Sequence, residues 1–339
     1  MGKQGKKSPK FWWEKIDKMK TLVIALQKEG QIGSVAYELI SAAGALGAEV
    51  STVIMAEDAE KLAGDLASRG GGKVLAVSNP ALGFFNEEIY AKVVGELVER
   101  HGFDLVIGPA TFYGRALMAR LAAKLGGTMA SEITGIEAAG DSVVVTRPSY
   151  GGSVISKVAA KSGDKPFCVT VRPKIFPESK DGAGEVVTES VADACFEARS
   201  TVKEVKAASG GSVNLAEADV IVAAGRGIKG PEGVPVIQDL VDSLGAAFGA
   251  SRAIVDAGWT EYTYQIGQTG RTVNPKLYFA LGISGAIQHL VGMRSSQYIV
   301  AINKDKDAPI FNIANYGIVG DLFEIAPALT AKFKAELAD

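Results

Sequence analysis

Cysteine and histidine are nearly missing from this chain. Of its 339 residues two are cysteines, Cys168 and Cys195, and two are histidines, His101 and His289. Two thiols can neither build a disulfide framework nor supply the four ligands of an iron–sulfur cluster. Two histidines far apart in sequence, with no neighbouring ligand cluster, remove most of the case for zinc, Ser-His-Asp and Cys-His chemistries. Redox or group-transfer chemistry in this chain therefore calls for a cofactor. A surplus of positive charge is lacking as well. The 36 Lys and Arg residues face 38 Asp and Glu, a net charge of −2, which excludes wholesale nucleic-acid binding because phosphates need cations to neutralise them. No run reaches the roughly 20 uninterrupted apolar residues of a bilayer-spanning helix, and the N-terminus has no apolar stretch of signal-peptide type. A cytoplasmic location is expected, with any membrane association made through partner proteins. What is present is apolar: 47% hydrophobic residues spread along the whole length, which excludes disorder and suffices for a sizeable core, in a length that suggests two domains.

Residues 1–20 stand apart. They hold seven lysines against Glu14 and Asp17, while the remaining 319 residues carry 29 basic and 36 acidic side chains. Helical spacing places Trp12, Ile16 and Met19 on one side of this segment, with Phe11 and Trp13 beside them. It reads as a tail without a role, as a docking segment for a partner protein, or as a weak contact to an anionic membrane surface. From residue 21 short β-branched runs alternate with longer amphipathic ones, the pattern of βαβ units. Buried parallel strands are expected at 21–26, 49–56, 73–79 and 104–111, with helices at 34–46, 60–68, 87–101 and 113–125. After Gly127 the period becomes two, at 141–148, 153–161 and 166–172, which predicts extended strands joined by Gly-containing turns. A β-rich portion thus closes a first domain over 21–205. Lys206–Asn214, with Ser209-Gly210-Gly211-Ser212, has linker composition and implies freedom of motion for the C-terminal part of the chain. A second α/β domain is expected over 215–339, with strands at 219–224, 276–282, 298–303 and 311–314.

Turn residues able to approach a ligand concentrate in this second part. Gly225-Arg226-Gly227-Ile228-Lys229-Gly230 directly follows a predicted strand, so its glycines permit positive φ and close approach while Arg226 and Lys229 add charge. Leu281-Gly282-Ile283-Ser284-Gly285-Ala286-Ile287-Gln288-His289 couples a strand to a helix. Ser284 is placed to cap that helix, and the free N–H groups around Gly285–Ile287 would face an anion such as a pyrophosphate. His289, about one turn in, reads either as a packed core residue or as part of the same site. Gly267-Gln268-Thr269-Gly270-Arg271 and Gly249-Ala250-Ser251-Arg252 read either as simple turns or as further polar groups in Gly-flanked loops.

Taken in order and spacing, Gly249–Arg252, Val255-Asp256-Ala257-Gly258-Trp259, Gly267–Gly270, Leu281–His289, Ala301-Ile302-Asn303-Lys304-Asp305 and Gly320-Asp321-Leu322-Phe323 closely resemble the alpha subunits of the electron transfer flavoproteins. The likeness is specific over about 220–330 and looser over 21–205. It implies two Rossmann-like parallel-sheet domains, the C-terminal one binding FAD, in a heterodimer with a beta subunit. Carried over by position, it puts Arg226, Ser251 and Asn303 at the dinucleotide, Ser284, Gly285, Ala286 and Ile287 at the pyrophosphate, and Asp321 and Leu322 beside the adenosine. Arg252, Gln268, Thr269, Gln288 and His289 fall near the flavin ring, and Ile266 and Gly267 are implied as further cofactor contacts. Asn315 stands where the family commonly has Asp, and the N-terminal extension is a second departure.

The implied activity is electron relay between dehydrogenases and an acceptor such as a quinone oxidoreductase. One alternative is a flavin-based bifurcating complex working with NADH, ferredoxin and a quinone or acyl-CoA partner. Another, from a different class, is a nucleotide-binding regulatory module; a substrate-transforming dehydrogenase is disfavoured by the shortage of histidine. In the relay reading a cation beside the flavin stabilises its reduced anionic forms, by roughly 3 kcal/mol for Arg252 at a separation of ~5 Å and an effective dielectric of ~20. Thr269 would offer a hydroxyl to N5 and His289 a donor to the pyrimidine end.

Overall fold

A computed structural model describes residues 19–140, 142–160, 166–205 and 215–337. The expectation for the linker, 206–214, and that for the basic extension apart from Met19 and Lys20 fall outside these residues. The chain divides into two units, 1–148 with 155–206, and 149–154 with 207–339.

The first unit is built on a seven-stranded parallel sheet. Its strands are β1 (Lys20–Ala25), β2 (Glu49–Ala56), β3 (Gly72–Ser78), β4 (Leu105–Pro109), β5 (Thr128–Ile133), β9 (Phe167–Val171) and β10 (Gly184–Thr188). They lie in the order β10-β3-β2-β1-β4-β9-β5. A separate three-stranded sheet holds β6 (Gly135–Ala139), β7 (Ser142–Ser149) and β8 (Val154–Ala159). Central strands such as β1 and β4 are continuous apolar runs because helices cover both faces. On one face pack α1 (Val35–Gly44) and α2 (Glu60–Ser68), on the other α3 (Glu87–His101) and α4 (Phe112–Leu125). Local chemistry sets their ends. Asn86 accepts from the N–H groups of Glu88 and Ile89 to start α3, Thr111 accepts from Gly114 to start α4, and Gly102 and Gly126 close both in the left-handed conformation.

The second unit is a six-stranded parallel sheet of β11 (Val220–Ala224), β12 (Ala247–Ser251), β13 (Gln265–Ile266), β14 (Leu277–Leu281), β15 (Tyr298–Asn303) and β16 (Tyr316–Val319). The order β13-β12-β11-β14-β15-β16 is 3-2-1-4-5-6 when counted from the first strand, the arrangement of dinucleotide-binding folds. Helices α5 (Val234–Leu244) and α8 (Leu322–Glu336) cover one face around Phe248, Phe279 and Leu322, with the five-residue α6 (Arg252–Asp256) beyond β12. Helix α7 (Ile287–Met293) and the turn Pro309–Asn312 cover the other, around Tyr278, Met293 and Ile310.

The expected α/β class with two parallel sheets is observed. Several elements differ. Phe311–Ala314, expected as a strand, begins inside a 3₁₀ turn that Pro309 opens and Ile310 anchors in the core; the strand starts at Tyr316. Phe167–Val171, expected as an extended strand in the β-rich portion closing the first domain, is a strand, and it lies in the large sheet between β4 and β5. Strand β12 occupies residues whose pattern reads as a loop. Its small residues pass for a turn, yet a Cβ on Gly249 would stand 2.5 Å from the Ile266 side chain, so it is crowding within the sheet that selects glycine.

Candidate functional site

Strand order reverses between β11 and β14, and loops leaving the carboxyl ends of such neighbours diverge to open a crevice. The chain meets this requirement with glycine. Gly225 N–H donates to Leu281 O at 2.9 Å and Gly227 N–H to Gly282 O at 3.0 Å. A Cβ on Gly225 would lie 2.4 Å from Gly282 O, so the first loop can run along the second only without side chains. The cleft that opens there has a volume of about 800 Å³, within the roughly 300–1,000 Å³ of ligand pockets.

Five strand ends contribute to its walls. Arg226 follows β11, Ser251 and Arg252 end β12 and begin α6, Gly267, Gln268 and Thr269 follow β13, Ile283 and Ser284 follow β14, and Asn303 ends β15. Ala286, Gln288 and His289 complete it from the start of α7. Hydrogen bonds between the loops hold the walls together. Asn303 Nδ2 donates to Ile283 O at 2.9 Å, Gln268 N–H donates to Gln288 O at 2.7 Å, and Ile310 N–H donates to Ser284 O at 3.0 Å.

Two observations show a site built to receive polar groups. Ser251 is buried, lines the cleft, and its Oγ has no hydrogen-bond partner, a desolvation cost that a bound acceptor or donor would offset. Arg226 and Arg252 bring two guanidinium groups to the walls, Arg252 with its Nε donating to Asp256 Oδ2 at 3.1 Å. His289 is the buried peg of the site. Its Nδ1 lies 3.1 Å from Ile266 O, and a carbonyl can only accept, so this nitrogen carries the proton. Its Nε2, 3.0 Å from Tyr278 Oη, then accepts from the phenol. Burial pushes the imidazole pKa down to about 4, with the Ile266 carbonyl opposing, so the ring is neutral near pH 7. Among the described residues no three His, Cys, Asp or Glu side chains gather to hold a metal, and no helix is long and apolar enough to cross a membrane.

Comparison with known proteins decides what kind of site this is. Residues 214–294 match the family described as Electron transfer flavoprotein FAD-binding domain, and residues 21–194 match Electron transfer flavoprotein domain. The chain is 41% identical over 321 residues to the Electron transfer flavoprotein subunit alpha of Thermoanaerobacterium thermosaccharolyticum, covering 92% of this chain and 97% of the relative. It is 41% identical over 318 residues to the Electron transfer flavoprotein subunit alpha of Bacillus subtilis, covering 93% and 97%. It is 38% identical over 312 residues to the Probable electron transfer flavoprotein subunit alpha, mitochondrial, of Caenorhabditis elegans, covering 92% of each. The chain belongs to the electron transfer flavoprotein alpha subunits. The cofactor of the domain matched at 214–294 is FAD.

Within this family frame, the positions carried over from sequence separate into two groups. Arg226, Ser251, Arg252, Ile266, Gly267, Gln268, Thr269, Ser284, Ala286, Gln288, His289 and Asn303 all line the cleft. Gly285, Ile287, Asp321 and Leu322 do not. Gly285, at φ 90°, packs on the Ile310 backbone, and Ile287 is 70% exposed. Asp321 caps α8, accepting from Phe323 N–H at 2.9 Å, and pairs with Lys304 at 2.7 Å, which holds its carboxyl below the usual range. Leu322 is core; a Cβ on Gly282 would stand 2.9 Å from its Cδ2, so it supports that turn from beneath.

Three local expectations are corrected. Ser284 is not the helix cap, because α7 begins at Ile287 behind Ala286, which makes no side-chain cap bond. In the turn after β11 the positive φ falls on Lys229, at 67°, whereas Gly225 and Gly230 are extended. His289 has both ring nitrogens engaged inside the protein, so it has no free donor for a pyrimidine. Residues missed in sequence include Asp256, legible as the i+4 partner of Arg252, and Gln265, whose place in the wall no local pattern announces. Asn315, the departure from the family's Asp, has a structural role in this chain: its Oδ1 accepts from Ile299 N–H at 2.8 Å, bracing β15.

Proposed function

We propose that this chain, paired with a beta subunit, binds FAD in the cleft at the β11/β14 crossover and passes electrons from dehydrogenase donors to a quinone-linked or ferredoxin-linked acceptor. The observation that carries this reading is the unpartnered, buried Ser251 Oγ in the wall of a crevice made by glycine contacts at the switch point of a 3-2-1-4-5-6 sheet. The residues fit the group. The glycine-lined ends of β11 and β14 bring backbone close to a diphosphate, Ser251 and Asn303 offer short polar contacts, and Arg226 adds positive charge. Arg252, Gln268, Thr269 and His289 form the part of the wall assigned to the flavin ring. FAD supplies reversible electron uptake when bound. The chain's task is to hold and orient it and to set its potential through Arg252 and the Thr269 hydroxyl. The unit 215–339 is assigned the flavin, and 21–205 the remaining contacts with partner proteins.

Co-purification of the chain with its beta subunit tests this. The complex should be yellow and contain FAD, and it should accept electrons from a flavin dehydrogenase. One FAD per heterodimer supports relay, and two indicate a bifurcating arrangement. A complex that binds nucleotide but no flavin would replace the reading with that of a regulatory nucleotide-binding module.

A further inference from the structure

Gln265 is among the few buried polar residues of the second unit, 3% exposed, and it lies on its strand in the wall of the cleft. Its backbone closes the turn after β13: Arg271 N–H donates to Gln265 O at 2.8 Å, and a Cβ on Gly270 would stand 2.3 Å from that same oxygen. Its side chain reaches four residues on, where Nε2 donates to Thr269 Oγ1 at 3.0 Å. Thr269 itself is exposed to the cleft, with its carbonyl held by the Tyr262 hydroxyl at 2.6 Å.

A threonine hydroxyl has one proton to give and two lone pairs to accept with. An amide N–H placed on the oxygen occupies a lone pair and leaves the hydroxyl proton directed elsewhere. The remaining direction is the open side, toward the cleft. A glutamate in the same place would do the reverse, drawing the hydroxyl proton onto itself and leaving only lone pairs for a ligand. The chemical identity of the side chain at 265 therefore sets whether Thr269 is a donor or an acceptor to whatever the cleft holds.

We infer that Gln265 is a positioning residue for electron transfer: its amide, donating to Thr269 Oγ1, fixes that hydroxyl as a hydrogen-bond donor to the flavin ring. This rests on the reading of the cleft as a FAD site. A donor aimed at the ring stabilises the form that has gained an electron, so removing it makes reduction harder. The size corresponds to an ordinary hydrogen bond: a roughly 2- to 10-fold change in the one-electron equilibrium, on the order of 20–60 mV.

The test uses the full chain with its beta subunit in six forms: parent, Gln265→Met, Gln265→Leu, Thr269→Val, and Gln265→Met and Gln265→Leu each combined with Thr269→Val. FAD content is measured first and the flavin potential second. Gln265→Met and Thr269→Val, neither of which changes the charge, should each lower the potential, and the double variant should match Thr269→Val alone, since no hydroxyl is then left to orient. A side chain at 265 that only supported the fold would change melting temperature without this loss of additivity. Flavin-loaded Gln265→Met at the parent potential, or a double variant shifted by the sum of the two, overturns the inference. Should Gln265→Met, close to glutamine in volume, not fold, Gln265→Leu carries the decision: a lowered potential that disappears in the Thr269→Val background supports the inference, and a parent-like potential overturns it. A parent complex that takes up no FAD removes the proposed function itself, and this inference falls with it.

Discussion

Gly227 and Gly282 touch backbone to backbone: Gly227 N–H donates to Gly282 O at 3.0 Å, and a Cβ on Gly282 would sit 2.6 Å from Gly227 Cα and 2.9 Å from Leu322 Cδ2. Gly282 also has φ 62°, a conformation that costs other residues about 1–2 kcal/mol. Gly282→Ala adds a clash with backbone to that strain. It should destabilise the second unit by at least about 2 kcal/mol and abolish flavin retention. Denaturant unfolding, with flavin content measured in parallel, checks this.

Neutral, buried His289 makes the second unit sensitive to acid. Its pKa is lowered from 6.5 to about 4, so below pH 6.5 the unfolded chain binds a proton that the folded chain refuses. The stability from this site is full above about pH 6.5 and is lost as pH falls toward 4, by roughly 2–3 kcal/mol. Urea unfolding between pH 7.5 and about 4 should show this loss in the parent, and His289→Gln should flatten that part of the profile. Identical slopes for the two proteins would show that other groups account for the acid sensitivity.

Arg252 and Asp256 share one hydrogen bond of 3.1 Å with both side chains more than half exposed. Solvent and the carboxylate together screen the guanidinium well below the roughly 3 kcal/mol of an unpaired cation at ~5 Å. Arg252→Ala should lower the potential of bound flavin by on the order of 10–40 mV. Asp256→Asn should raise it by a similar amount, and neither should change melting temperature appreciably. Potentiometric titration of the two variants decides the sign.

The outer side of α3 holds an antiparallel strap through residues four apart. Arg100 contacts Glu189 and Ser190, Glu96 accepts from Ala192 N–H at 3.1 Å and from Cys195 Sγ at 3.1 Å, Lys92 donates to Glu197 O at 2.6 Å, and Glu88 pairs with Arg199. Burial, with the Glu96 carboxylate adding to it, pushes the Cys195 thiol up to about 11. Cys195 should resist alkylation near pH 8. Glu96→Ala removes the acceptor of the exposed Ala192 amide, which water replaces, so stability should change little, and it should speed alkylation of Cys195 several-fold. Mass spectrometry of timed labelling would reveal it.

Alternating β-branched and amphipathic runs make the α/β class readable in the sequence, and where caps and turn glycines coincide with the pattern the limits are readable too. The helices Glu60–Ser68 and Glu87–His101 and the strands Glu49–Ala56 and Tyr298–Asn303 begin and end where the pattern places them. The glycines after β11 and β14 can also be recognised as places of close approach, because glycine between a buried strand and a polar turn has few other uses. Which strand lies beside which cannot be read, since period reports that a face is buried and not what covers it. That is why Phe167–Val171 reads as a strand without its place between β4 and β5, why Gly249–Arg252 reads as a loop, and why Asp321 and Leu322 carry the family's spacing yet lie outside the cleft wall. Only the folded chain closes both nitrogens of His289, on Ile266 O and Tyr278 Oη. Those contacts depend on distances between β13, β14 and α7 that long-range packing sets.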